Sequence, residues 1–260
     1  RSGVRAAARS SGRTHGVAVS SGSAALHLAL LALGIDAKSA VAMPSYVCTA
    51  LLNATLQAGA AAVIHDVGDD FNPDYGATSA ADVFIATHLF GKTGTIPPRA
   101  EVIEDLAHAL GGAAGRRGGA AVASFYATKL MTSGGEGGMV LTDDDGVAER
   151  ARDLRDYDNR ADYRLRFNYK MTDLAAAIGR QQLKKLPGWI ERRREIAALY
   201  TAAFEGLPIA LPDPANHVFF RYVVASSRRE KLERHLNERG IQAKRPVFRP
   251  LHQYALPRDH

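Results

Sequence analysis

The sequence predicts an α/β fold: a mainly parallel central sheet of about seven strands with helices on both faces, and a smaller carboxyl-terminal α+β domain. Over the first two-thirds of the chain, short apolar runs alternate with runs of helix length, as in a parallel sheet with crossover helices. A long stretch with helical periodicity follows, and a shorter mixed region comes after it. Together these two observations predict a large domain and a small one.

The elements of the large domain are predicted from their apolar runs. The strands are predicted at 16–19, 41–43, 61–65, 83–87, 102–104, 120–125 and 139–142. The helices are predicted at 23–33, 46–58 and 144–157, where apolar residues recur with helical spacing. Strands of this length and number are typical of a single sheet.

A long helical region is expected to link the two domains. It begins at Thr172 and continues over 190–204, with a break at Pro187. The remaining predictions are a strand at 218–225, a helix at 228–239 that Gly240 stops, and an extended segment at 241–247. We therefore expect the large domain at 1–186 and the small domain at 187–260.

The link between Gly91 and Glu101 departs from this pattern. A parallel crossover usually needs a dozen or more residues and a helix, but only 92–100 lie between these two positions. This segment is too short for a crossover helix. We expect either that the element has been lost or that residues are absent from the sequence.

The bulk composition is that of an ordinary globular protein. Of 260 residues, 46% are hydrophobic and 23% charged, and the longest mainly apolar stretch, 24–35, is shorter than the roughly 18 residues of a membrane span. The net charge is +6, but basic residues alternate with acidic ones, which disfavours nucleic-acid binding. The single cysteine, Cys48, excludes an internal disulfide, and the histidines show no metal-ligand spacing. We expect a cytoplasmic protein with no metal, membrane or nucleic-acid partner.

Lys129 is the most informative residue of the chain. It follows the apolar run 120–125 and precedes the glycine-rich segment 132–138, while the run 102–103 leads into Asp105. A lysine can hold an aldehyde cofactor as a Schiff base, and a carboxylate against a pyridine nitrogen keeps that nitrogen protonated. Ligands collect at the carboxyl ends of strands in open α/β sheets, where both residues are expected. A lone lysine would be a solvated loop residue, but the paired carboxylate favours a pyridoxal-phosphate site.

These residues are part of a longer pattern. Six motifs, at 20–30, 44–46, 88–91, 104–111, 124–129 and 167–173, fall in the order and approximate spacing of one protein family. On these motifs the chain resembles the DegT/DnrJ/EryC1/StrS family, mainly sugar aminotransferases that depend on pyridoxal 5'-phosphate. The resemblance implies fold type I, the fold of aspartate aminotransferase. It leaves the start of the family's large domain and the end of its small domain unrepresented, so we expect both domains to be incomplete.

The resemblance also implies roles for individual residues. Lys129 and Asp105 would be catalytic, and His108 would contact the ring hydroxyl of the cofactor. The phosphate would bind at Ser23 and Ala24, since a Ser-Gly-Ser turn before a helix directs N–H groups at an anion. By itself that turn is better explained by a plain serine N-cap, and the resemblance is what favours the phosphate. His108, in turn, has packing against the sheet as its alternative.

Two further phosphate ligands are implied. Ser124 would add a hydroxyl from the loop that carries Lys129. Asn168 would reach the phosphate in a neighbouring subunit, which predicts a homodimer with shared active sites. The alternative for Asn168 is a buried asparagine in a turn.

Three positions are less clear from the sequence. Tyr126 and His88 are candidates for substrate contact, although either could be a packing residue. Cys48 stands where many relatives have an aromatic ring that stacks on the cofactor, and a small thiol gives less contact. What stacks on the ring is therefore open.

The predicted activity is transamination. An amino group would move from L-glutamate or L-glutamine to a keto sugar, and the resemblance implies that this sugar is a nucleotide-linked 3-keto or 4-keto hexose. The freed amine of Lys129 would move the proton. Because Lys129 is present, the dehydratase branch of the family, which has histidine there, is disfavoured. The alternative is a non-catalytic relative that binds a ligand or a partner, while a nucleotide-binding oxidoreductase lacks its glycine fingerprint.

Overall fold

The fold is built around one seven-stranded sheet. A computed structural model describes residues 8, 11–75, 80–98 and 101–254. The strands are β1 (His15–Val19), β2 (Ala40–Pro44), β3 (Ala61–His65), β4 (Val83–Thr87), β5 (Val102–Asp105), β6 (Ala120–Ser124) and β7 (Gly138–Thr142). They lie in the order β1-β7-β6-β5-β4-β2-β3, and neighbours are parallel except at β7, which is antiparallel to β1 and β6. The predicted mainly parallel sheet of seven strands is confirmed.

Helices cover both faces of this sheet. They are α1 (Gly22–Ala32), α2 (Ala50–Gln57), α3 (Asp145–Leu154), α4 (Asp173–Phe204) and α5 (Arg229–Glu238). Successive side chains of a strand point to opposite faces. Accordingly, Ala120 and Val122 of β6 pack in the core that contains α1, whereas Ala121 and Ala123 pack in the core that contains Leu186 of α4.

The break predicted at Pro187 is wrong, because α4 runs unbroken through this residue. Proline removes only one backbone N–H donor, and the neighbouring Leu186 and Ile190 are buried against the sheet. This packing stabilises the helix on both sides of the proline. The predicted domain boundary at 186 therefore falls within a continuous helix, and the division into 1–186 and 187–260 stays a prediction.

The strand predicted at 218–225 is also wrong. Its backbone bonds in isolated pairs, from Val218 N–H to the carbonyl of Gly91 and between Ala225 and Ala210. Phe219 has a φ of 49°, which turns the backbone out of the extended conformation that a ladder needs. In the described part of the chain after α4, helix α5 is present and no multi-residue strand ladder is formed.

Two connections shape the edge of the sheet. Helix α2 begins at Ala50 rather than at 46, which leaves 45–49 as a loop after β2. Strands β4 and β5 are parallel neighbours, and the described residues between them form only a short 3₁₀ turn, Leu89–Gly91. The prediction that this link holds no crossover helix is confirmed for those residues.

Across the described ranges, no helix is both long and apolar enough to cross a bilayer.

Candidate active site

A cavity of about 320 Å³ lies at the carboxyl ends of the parallel strands. Its walls include Cys48, His88, Asp105, His108, Lys129 and Arg221. Parallel strands end at the same edge of a sheet, so β4, β5 and β6 bring the residues that follow them to one place. The structure thus places the predicted lysine and carboxylate in the same cavity.

The loop after β6 holds Lys129. The N–H of Lys129 donates to the carbonyl of Tyr126 at 2.9 Å, and Tyr126 pairs with Gly135 across the loop. The Nζ atom of Lys129 lies 5.5 Å from the ring centroid of Phe220. Burial lowers the pKa of Lys129 below its usual value, and the charges of Asp105 and Cys48 oppose this shift. A lysine with a lowered pKa has more of the neutral amine that attacks an aldehyde.

Asp105 ends strand β5 and accepts a hydrogen bond from the N–H of Ala107 at 2.9 Å. Burial raises the pKa of Asp105, although that hydrogen bond and the charge of Lys129 oppose the shift. A buried carboxylate is stabilised by a cationic partner. A protonated pyridine nitrogen is a partner of this kind.

His108 is packed between aromatic rings. Its ring stacks on Phe220 with a centroid distance of 4.1 Å and on Phe90 at 6.3 Å. Burial, followed by the charges of Lys129 and Arg221, lowers the pKa of His108 well below its usual value, which keeps the imidazole neutral. Nδ1 accepts from the N–H of Phe90 at 3.3 Å, so the proton is on Nε2. His108 both packs on its neighbours and retains a donor for a ligand oxygen.

The start of α1 meets Ser124. The helix is capped by Ser21, whose Oγ accepts from the N–H of Ala24 at 3.0 Å. A Cβ atom added to Gly22 would lie 2.7 Å from the Cβ of Ser124, so the first helical turn and the end of β6 are in close contact. The structure therefore brings the predicted phosphate ligands together, with Ser23 exposed beside them. The serine N-cap is present as well, and it occupies the N–H of Ala24.

Asn168 lies beside this turn but is exposed. Its neighbours fix the backbone, since Tyr169 N–H donates to the carbonyl of Arg155 and its carbonyl accepts from Ser20 N–H at 2.8 Å. The alternative of a buried turn asparagine is wrong, because the side chain is exposed. Asn168 does not line the cavity of its own chain.

The two candidates for substrate contact differ. Tyr126 is 44% exposed. His88 lines the cavity but is buried, and both of its ring nitrogens bond within the protein: Nε2 to Glu104 at 2.9 Å and Nδ1 to the N–H of Gly94 at 3.1 Å. A ligand therefore meets the ring of His88 rather than a vacant nitrogen.

Sequence reasoning did not single out two charged residues at this site. Arg221 lines the cavity from the segment after α4. Glu104 is buried behind the cavity, where it accepts from His88, from Gly115 N–H at 2.8 Å and from Arg117 N–H. Glu104 could have been suspected from the apolar run that it ends, whereas Arg221 stands in a segment that reads as an ordinary strand.

This geometry can be compared with known proteins. The family model described as the DegT/DnrJ/EryC1/StrS aminotransferase family matches residues 5–260. The chain belongs to this family. It is therefore an enzyme of the transaminase class, with the mainly parallel fold and the pyridoxal-phosphate dependence of its relatives.

Several relatives have established names. The chain is 32% identical over 275 residues to GDP-perosamine synthase of Caulobacter vibrioides, with 93% of this chain and 74% of the relative covered. It is 34% identical over 267 residues to dTDP-3-amino-3,4,6-trideoxy-alpha-D-glucose transaminase of Streptomyces venezuelae, with 92% and 70% covered. Among solved structures, S. venezuelae DesV matches with a TM-score of 0.82 and 32% identity, covering 93% of this chain and 72% of that one. The roles of individual site residues stay predictions.

Proposed function

We propose that this aminotransferase moves an amino group from L-glutamate or L-glutamine to a keto sugar carried on a nucleotide, with Lys129 and Asp105 as its catalytic residues. The relatives named above act on sugars linked to GDP and dTDP, and a third relative is a UDP-sugar 3-aminotransferase. The observation that carries the proposal is the meeting of Lys129 and Asp105 in one cavity at the strand ends.

The residues present fit pyridoxal phosphate. Burial raises the pKa of the Asp105 carboxylate, and a cationic ring nitrogen beside it would stabilise its charged form. Lys129 lies in the same cavity, and Ser124 adjoins the amino end of α1, where backbone N–H groups and the helix dipole favour an anion. The aldehyde, the ring nitrogen and the phosphate each have a matching group in the chain.

Each residue then has one task. Bound pyridoxal phosphate supplies an aldehyde carbon and an electron-accepting ring. Nζ of Lys129 would hold that carbon, and its neutral amine, once free, would take the proton from the donor's α-carbon. Asp105 would keep a proton on the ring nitrogen, and Nε2–H of His108 would donate to the ring oxygen. Burial of Lys129 favours its task, because a lower pKa yields the neutral amine.

A second copy of the chain completes the proposed site. Asn168 is exposed on a segment that also carries Tyr163, 99% exposed, and Leu165, 70% exposed. Large apolar side chains so exposed are typical of an interaction surface. We infer that Asn168 reaches the phosphate bound by a partner subunit in a homodimer.

Shared sites are tested by mixing two inactive variants. Lys129→Ala removes the amine, and Asn168→Asp places a negative charge against the phosphate. Co-expressed with different tags, they form hybrid dimers in which one of the two sites is intact. About a quarter of all sites in the mixture are then intact, so activity should recover to about a quarter of the wild-type value. If each site were confined to one subunit, the mixture would stay inactive.

The proposed role of Lys129 is tested by absorption. Wild-type protein with pyridoxal phosphate should show the visible band of a lysine-bound cofactor, and L-glutamate should bleach it. Lys129→Ala should lack the band, whereas the control Lys184→Ala, an exposed lysine on α4, should keep it. A band that persists in Lys129→Ala would contradict the role of this lysine, and no band in the wild type would favour a non-catalytic ligand-binding relative.

A further inference from the structure

Arg221 is held in a defined position inside the cavity of Lys129. Its Nη1 donates to the carbonyl of Pro246 at 2.9 Å, and its Cζ lies 5.4 Å from the ring centroid of Phe220. One contact fixes an edge of the guanidinium and the other fixes its distance from the ring. A planar guanidinium held in this way is suited to bind a carboxylate with two parallel hydrogen bonds.

Arg221 forms no ion pair with any residue that the structure describes. Buried Arg13 pairs with Glu104 and Asp143. The partly buried Arg155 and Arg193 bond to backbone carbonyls, as Arg221 does, but of these arginines Arg221 alone lines the cavity of Lys129. Removing a guanidinium from water is costly unless an anion compensates for it. Because Arg221 lines the cavity, the position of its guanidinium indicates that a ligand bound there supplies the anion.

The charge of the cavity agrees with this interpretation. Among the described residues of its walls, Lys129, Arg221 and Arg249 contribute three cationic side chains, and Asp105 contributes the single carboxylate. Arg221 also acts on its neighbours, since its charge adds to the burial that lowers the pKa of Lys129 and of His108. In the proposed function Asp105 is paired with the protonated ring nitrogen. The positive charge of Arg221 therefore needs an anion from a bound ligand.

The cofactor's own phosphate does not meet this need. Its proposed ligands lie at the start of α1 and at Ser124, and these residues are not in the walls of the cavity that Arg221 lines. The anion for Arg221 is therefore a group of the substrate.

We propose that Arg221 binds the α-carboxylate of the amino donor. This inference rests on the proposed function. Nζ of Lys129 and Cζ of Arg221 lie 5.5 Å and 5.4 Å from the same centroid, so they are at most about 11 Å apart. In an L-amino acid the carboxylate and the reacting amine share one carbon, which places the carboxylate within about 3 Å of the nitrogen that replaces Lys129. The diphosphate of the acceptor is instead separated from its keto carbon by the sugar ring.

Binding without turnover tests the carboxylate site. Glutarate has both carboxylates of L-glutamate but no amine, so calorimetry on the cofactor-loaded enzyme reports carboxylate recognition alone. Arg221→Gln should raise the dissociation constant of glutarate about 10- to 100-fold, the loss expected for a charge-assisted pair. Arg221→Lys should give an intermediate value, because lysine keeps the charge but not the fork.

The control is Arg245→Gln, which removes one exposed positive charge outside the cavity walls. It should change the dissociation constant of glutarate by less than about twofold, as expected of a screened surface charge. Equal weakening by Arg245→Gln and Arg221→Gln would overturn the proposal, because only the overall charge would then matter. Circular dichroism shows whether each variant keeps the wild-type fold.

The two half-reactions separate the donor from the acceptor. With L-glutamate, Arg221→Gln should raise the donor KM about 10- to 100-fold. Starting from the aminated enzyme, the reaction with a nucleotide keto sugar should proceed at the wild-type KM. A rise in the acceptor KM with an unchanged donor KM would overturn the proposal and assign Arg221 to the diphosphate. If the wild type reacted with neither L-glutamate nor L-glutamine but bound glutarate through Arg221, the proposed function would fail while the carboxylate site stood.

Discussion

Loss of the Glu104 carboxylate should destabilise the edge of the sheet that carries the active-site cavity. Its side chain is 1% exposed and accepts from His88 Nε2 at 2.9 Å, from Gly115 N–H at 2.8 Å and from Arg117 N–H at 2.5 Å. Nη2 of Arg13 lies 3.7 Å from Oε1 of Glu104, so the two side chains form a buried ion pair. Glu104→Ala leaves these donors without their acceptor inside the protein. Removing one partner of a buried ion pair costs about 3 to 5 kcal/mol of unfolding free energy.

The assay is thermal or urea unfolding of the variant beside the wild type. A loss of this size lowers the melting temperature by about 6 to 20 °C for a chain of this length. The control is Glu101→Ala, an exposed carboxylate just before the same strand that also accepts a backbone N–H, from Gly119 at 2.8 Å. It should cost less than about 1 kcal/mol. A loss below 1 kcal/mol for Glu104→Ala, or equal losses for both, would refute the reasoning.

The same carboxylate should make stability depend on pH. Burial alone would raise the pKa of Glu104, but hydrogen bonds from His88, Gly115 and Arg117 lower it below the unfolded value of 4.5. A group whose folded pKa is lowered contributes its stability above the unfolded pKa and loses it as the pH falls through the folded pKa. The difference in unfolding free energy between wild type and Glu104→Gln should therefore be largest above about pH 5 and decrease below pH 4.5.

Three further changes probe the site and the fold. Asp105→Asn should lower kcat at least about a hundredfold in steady-state transamination, because an amide does not hold the proton on the ring nitrogen; a change below tenfold would contradict its role. Gly22→Ala should weaken pyridoxal-phosphate binding about tenfold, since the new Cβ would lie 2.7 Å from Ser124, whereas Gly188→Ala, with open space around it, should leave the affinity unchanged. Pro187→Ala should raise unfolding free energy by about 1 to 3 kcal/mol, because the helix regains a backbone donor; a loss of stability would show that the proline is required in α4.

Much of this architecture was predictable because local pattern and tertiary environment agree. Strand β5 is an apolar run that stays buried, and the rule that ligands bind at strand ends was enough to pair Asp105 with Lys129. The start of α1 was predictable for the same reason, since serine both caps a helix and leaves N–H groups for an anion. In these places no long-range contact overrides the local signal.

Tertiary contacts decided the remaining features. Pro187 should end a helix by local rules, but burial of Leu186 and Ile190 stabilises α4 across it. The apolar run 218–225 has the composition of a strand, yet its backbone bonds to Gly91 and Ala210 in isolated pairs. Arg221 enters the cavity from this irregular segment. Sequence spacing alone does not predict such a contact, since it depends on how the segment packs beside β4.

The most direct test of the central claim is the identity of the residue that bonds to the cofactor. Sodium borohydride reduces a lysine–cofactor Schiff base to a stable amine, and peptide mass spectrometry then locates the modified lysine. The phosphopyridoxyl group should be found on Lys129, and Asp105→Asn should retain the label at that position while losing activity. A label on another lysine, or protein left unlabelled after reduction with bound cofactor, would contradict the assignment of Lys129.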